Sequence, residues 1–136
     1  MFKNRQVIKN AVLDIIGEGV WGLQSGMLPA ATVFTILLIR YQANNTMIGL
    51  VSAIQGGTWF LPQIFGLFLF TSVKNRRRNL VLWHVLIVIP FQLLCGILVF
   101  LENMLDPFWL RWGLIFLFAM FYLSMGVIVG VWCEWL

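Results

Sequence analysis

This sequence predicts an all-α integral membrane protein with four transmembrane helices, and three observations carry the prediction. The 136 residues are 61% hydrophobic and only 10% charged, where ordinary soluble domains run near 45–50% and about 25%. The apolar residues fall into four long runs separated by short polar connectors. Basic residues gather on alternate connectors, the pattern of a chain threaded through a bilayer. Nine basic and five acidic residues cannot cover the surface of a soluble domain this size. Lipid is the solvent that fits.

The first span covers residues 11–39, the second 47–70, the third 80–101 and the fourth 109–132. Each exceeds the roughly 20 residues that a helix needs to cross about 30 Å of hydrocarbon. Lipid offers backbone groups no hydrogen-bond partner, so helices are the expected spanning elements. The connectors RYQANNT, TSVKNRRRN and ENMLDPF are short enough to force antiparallel neighbours. The whole chain, 1–136, therefore reads as a single transmembrane region. Thr46 is the expected cap of the second helix. Asp14 and Glu18 interrupt the apolar core that a cleaved leader peptide would need, so none is expected.

Orientation follows from the cations. Lys3, Arg5 and Lys9 precede the first span, and Lys74, Arg76, Arg77 and Arg78 fill the second connector, leaving Arg40 and Arg111 for the other side. The positive-inside rule then puts the N-terminus, the 71–79 loop and the C-terminus in the cytoplasm. Trp21, Trp83, Trp132 and Trp135 would mark the inner interface, and Tyr41, Trp109 and Trp112 the outer one. Trp59, midway along the second span, fits neither. Arg111 can snorkel outward from the fourth helix.

Soluble chemistry finds little support. Residues 17–22, GEGVWG, match the dinucleotide pattern G-x-G-x-x-G, but no carboxylate stands near position 40 to hold a ribose. Glu18 would also repel a pyrophosphate. Cys95 and Cys133 lack metal or redox spacing, and a single histidine, His84, rules out a multi-histidine cluster. Neither G-x-S-x-G nor H-E-x-x-H occurs. No enzymatic activity, metal, cofactor or nucleic-acid partner is expected; the net charge of +4 is topological.

Polar residues inside the spans are not scattered. At about 100° per residue, Asp14, Glu18, Gly22, Ser25, Pro29 and Thr32 fall on one stripe of the first helix. Ser52, Gly56, Trp59, Gln63 and Gly66 align on the second, with Gln55 and Pro62 at its margins. Such faces look toward a bundle interior or a hydrated cavity. Two readings stand: helix–helix contacts, or a solute route with Ser25, Thr32, Gln55, Trp59 and Gln63 as candidate lining residues. Asp14 and Glu18 share a face one turn apart. They fit solvation at a helix start, a gate closed on the loop arginines, or proton coupling. His84 fits an interfacial hydrogen-bonded residue or a proton relay. Gly17, Gly19, Gly22 and Gly26 would let neighbouring helices approach, and Gly126 and Gly130, with Ala119 nearly in line, form a G-x-x-x-G packing seam.

The second span, MIGLVSAIQGGTWFLPQIFGLFLF, with its short basic loop, resembles the N-terminal part of a major facilitator superfamily transporter. The IGL near its start, the small-residue middle and the LPQ-x-x-G ending carry the likeness. In that superfamily the following loop often reads G-x-x-x-D-R-x-G-R-R. Here FLFTSVKNRRR keeps the basic residues Arg76, Arg77 and Arg78, while Phe68, Ser72, Val73 and Asn75 replace the first glycine, the acid, the first arginine and the later glycine. The acid of the family's cytoplasmic latch is thereby lost. The resemblance implies secondary active transport of a small solute by alternating access, with a substrate site between two six-helix halves. Four spans then imply a fragment of a twelve-helix parent whose further C-terminal helices are partners, set in a bacterial inner (plasma) membrane. Glu18 also invites an alternative, a complete oligomeric four-helix transporter similar to the small multidrug resistance family. A non-transporting membrane scaffold is the third possibility.

Overall fold

A computed structural model describes residues 2–27, 30–58, 60–71 and 73–133, and every regular element among them is helical. The chain divides into two units, Met1–Thr35 and Ile36–Leu136. The first holds helix α1 (Phe2–Met27) and a π-helical turn, Ala30–Phe34. Val7, Ile8, Ile15 and Ile16 lie exposed along α1. A Cβ at Gly17, Gly19 or Gly22 would meet nothing within 4 Å.

The second unit takes in the rest of α2 (Thr35–Arg40) and then α3 (Asn45–Gly57), α4 (Leu61–Thr71), α5 (Arg76–Trp83), α6 (Ile89–Phe100) and α7 (Pro107–Cys133). Helix α2 ends in a Schellman turn. The Ala43 N–H donates to the Leu38 carbonyl and the Gln42 N–H to that of Ile39, both at 2.9 Å. Gln42 adopts φ 61°, the left-handed conformation that glycine usually supplies. The next helix is capped by Asn44 rather than Thr46: the Asn44 Oδ1 accepts the Met47 N–H at 2.9 Å. Thr46 lies two residues further along, inside the first turn.

What reads as one run from 47 to 70 is two helices, α3 and α4, bent by 41°. Gly56 and Gly57 weaken the end of α3, and Pro62, lacking an N–H, is tolerated only in the opening turn of a new helix. The Thr58 hydroxyl donates to the carbonyls of Ile54 (2.8 Å) and Gln55 (3.2 Å), satisfying groups freed where α3 stops. A second irregularity separates α5 from α6. Residues His84–Val88 form a π-helical turn in which the Ile89 N–H reaches back to the His84 carbonyl. Pro90 follows immediately, and the widened turn relieves the clash of its ring with the preceding one.

Helix α7 is the centre of the unit, packing along both α4 and α6 and more sparsely on α3. Pro107 opens it, with the Asp106 Oδ1 accepting the Phe108 N–H at 2.7 Å. Its glycines form the seam that the G-x-x-x-G spacing suggested. A Cβ on Gly126 would overlap the Thr58 carbonyl oxygen and lie 3.1 Å from the Pro62 ring; one on Gly130 would lie 3.3 Å from the Gln63 Cβ. From the α4 side, a Cβ on Gly66 would overlap the Val127 carbonyl oxygen. Phe70, Leu80, Val88, Met125, Ile128 and Val131 pack together beside this seam. Trp83 borders them, its ring edge-on to Phe70 at 6.0 Å and its indole N–H donating to the Ser124 carbonyl at 3.1 Å.

Two helices, Arg78–Phe100 and Pro107–Trp132, are long and apolar enough to cross a membrane, with mean hydropathies of 2.3 and 2.5. Their apolar side chains are largely uncovered: only 11% of the most apolar window of the first is buried. Water would not tolerate such a surface, and the two helices mark the chain as a membrane protein. The bent pair α3–α4 makes a third span if it crosses as one. The expected first span runs through residues 28 and 29, outside the described residues.

Candidate functional site

Gln55 stands in the last turns of α3, on the side that faces α7. Its Nε2 donates to the Tyr122 hydroxyl at 3.2 Å, just before α3 ends at Gly57. Tyr122 is half-buried in an aromatic group, 4.5 Å from the Phe118 ring and 5.3 Å and edge-on from Phe121. Both polar groups are thus joined across two helices at the point where the second span bends. Ser52 and Gly56, from the same polar stripe, are exposed, and a Cβ on Gly56 or Gly57 would meet open space. Gln63 is different. It is half-buried in the α4–α7 seam beside Gly130, so the stripe divides at the bend into an open part and a packed part.

Thr32 and Glu18 are exposed and belong to the unit Met1–Thr35. Trp59 lies outside the described residues, as do the side chains of Ser25, Asp14 and Arg77. His84 is half-buried and opens the π-helical turn. Lys74 stands in the turn before α5, and Arg76, Arg77 and Arg78 form that helix's first turn, with Lys74 and Arg78 exposed.

A polar cluster that sequence reasoning missed joins the first and third connectors. The Arg40 Nη2 meets the Glu102 Oε1 at 2.6 Å, and the Tyr41 hydroxyl donates to Oε2 of the same carboxylate at 2.6 Å. Both carboxylate oxygens are therefore engaged. Burial pushes the Tyr41 hydroxyl up to about 12, helped by its hydrogen bond to Glu102 and that group's negative charge, while Arg40 opposes the shift. Tyr41 is 4% exposed, a buried tie rather than an interfacial belt residue. Arg111 does not simply reach outward. Its Nη1 donates to the Gln42 carbonyl at 3.1 Å and its guanidinium lies 5.3 Å from the Phe108 ring centre. Two acids in one connector opposite a lone arginine in another were the available signal, but connector composition does not say which loops meet.

Comparison with known protein families, curated proteins and solved structures finds no match to this chain.

Proposed function

We propose that the chain is a four-span part of a secondary active transporter that moves a small solute by alternating access, with both termini cytoplasmic. The observation that carries this reading is the interrupted second span. Transporters place solute sites where membrane helices are discontinuous, because the break frees backbone groups and polar side chains at mid-depth. Here the break is flanked by Gln55, Tyr122 and Thr58, next to the exposed Ser52 and Gly56. Gln55 and Tyr122 are the groups proposed to hydrogen-bond the solute, exchanging their mutual bond for bonds to it. Ser25 and Thr32 are proposed as lining residues from their place on the polar stripe of the first helix.

Cysteine accessibility tests this proposal. In a variant with Cys95 and Cys133 replaced by alanine, single cysteines at Ser52, Gln55 and Thr32 should react with a membrane-impermeant maleimide sulfonate. A cysteine at Gln63 should not. Silence at all three of the first positions in intact membranes would remove the hydrated route.

A membrane scaffold that only binds partner helices is the second reading, favoured by the Gln63–Gly66 part of the stripe. Those residues serve close packing against α7, which asks nothing of a solute.

A further inference from the structure

The basic connector presents a surface that solute transport leaves unused. Lys74 and Arg78 are exposed, and neither makes an ion pair among the described residues. The described carboxylates of the second unit are engaged elsewhere, Glu102 by Arg40 and Tyr41, and Asp106 by the Phe108 N–H. Three arginines in the opening turn of α5 also oppose that helix's dipole, so helix stability does not explain them. Beyond Arg78 the same surface turns apolar. Asn75, Arg78, Val81 and Leu82 line a shallow groove of about 450 Å³, and Val81 and Leu82 are 50% and 41% exposed. Along it run an amide, a guanidinium and then two aliphatic side chains. Arg78 is also the first residue of the apolar helix that can cross a membrane. The polar end therefore sits at headgroup level and the aliphatic end at acyl-chain level.

We propose that this groove binds one anionic phospholipid. Its phosphodiester sits on Lys74 and Arg78 with the Asn75 amide as a further donor, and the upper part of an acyl chain lies along Val81 and Leu82. The inference rests on the membrane character of the chain and not on transport.

Native mass spectrometry of the full chain in detergent tests it, with phosphatidylglycerol and phosphatidylcholine of identical acyl chains offered in equal amounts. The chain should retain one phosphatidylglycerol in preference to phosphatidylcholine. K74Q/R78Q should weaken that retention by roughly tenfold or more, since each surface cation contributes about 1 kcal/mol toward an anionic lipid. K3Q/R5Q, which removes the same charge elsewhere, should leave retention unchanged. Equal retention of both lipids by the unaltered chain, or equal losses in the two variants, would overturn the proposal in favour of diffuse attraction. If K74Q/R78Q does not fold, glycerol phosphate offered to the unaltered chain decides. Bound phosphatidylglycerol should persist, because the groove also holds its acyl chain; displacement by the headgroup alone would overturn the lipid assignment.

Discussion

Helices α3 and α4 meet at a 41° bend and look alike in sequence, each carrying glycine and glutamine on its polar stripe. Their surroundings differ. Gly66 on α4 lies so close to α7 that an added methyl would overlap the Val127 carbonyl, whereas Gly56 on α3 faces open space. Gln63 is wedged beside Gly130, while Gln55 reaches across to a single tyrosine hydroxyl. A polar stripe therefore has two uses within one span. Below the bend it lets two backbones meet, and above it a side of the helix is left to be wetted or filled. The bend between Gly57 and Leu61 separates a fixed half from a more open one.

The largest expected effect attacks the fixed half. Gly66→Ala and Gly126→Ala each force backbone apart and should cost about 2–3 kcal/mol, read as a loss of thermal stability in detergent. Gly56→Ala, in the open half, should be neutral or stabilising by up to about 1 kcal/mol from helix propensity. Equal losses at Gly56 and Gly66 would erase the contrast.

A smaller effect concerns the connectors at the start of α3. Glu102→Gln removes a charged partner of Arg40 and Tyr41 and should cost about 1 kcal/mol. Hydrogen exchange should rise in α3 while α4 keeps its protection. The same tie has a pH signature. The Tyr41 hydroxyl stays protonated in the folded chain above its ordinary value of 10 and up to about 12. Its contribution is thus complete below pH 10 and lost as pH climbs toward 12. Ultraviolet tyrosinate titration should show one of the two tyrosines (Tyr41) moving back toward its ordinary value in Glu102→Gln.

The smallest effect is on the Gln55–Tyr122 hydrogen bond of the open half. Gln55→Leu or Tyr122→Phe should cost about 0.6 kcal/mol, the usual worth of a hydrogen bond between membrane helices. If the pair serves a solute, uptake by the transporter should fall far more than that loss of stability would explain. If it serves packing alone, uptake and stability should fall together.

How much of this was visible beforehand depended on whether the relevant contact is local. The third and fourth spans follow from uninterrupted apolar runs, and the α7 side of the seam from the spacing of Gly126 and Gly130. The partner face is less legible: Gly66 and Gln63 fall on a stripe that suits water or a neighbouring helix alike, because periodicity identifies a face without naming its neighbour. Gly56, Gly57 and Pro62 were all in view, yet a window of hydropathy runs straight through a bend. Asn44 and Thr46 both suit a helix cap, and a shift of two residues is beyond what composition resolves. Glu102 meets Arg40 and Tyr41 from more than sixty residues away, a distance over which no local pattern speaks.

The turn at His84–Val88 has a consequence for how this chain tolerates changes in length. It holds one residue more than a regular turn, so it offsets the angular phase of everything after Pro90 by roughly 100° relative to an unbroken helix. Leu98 fills the notch at Gly113, 2.8 Å from where a Cβ would stand. Deleting one residue between 84 and 88 would restore a regular helix and leave Leu98 in its notch, because the wide turn absorbs that residue. A deletion between 91 and 97 would have no such slack and would swing Leu98 away by about 100°.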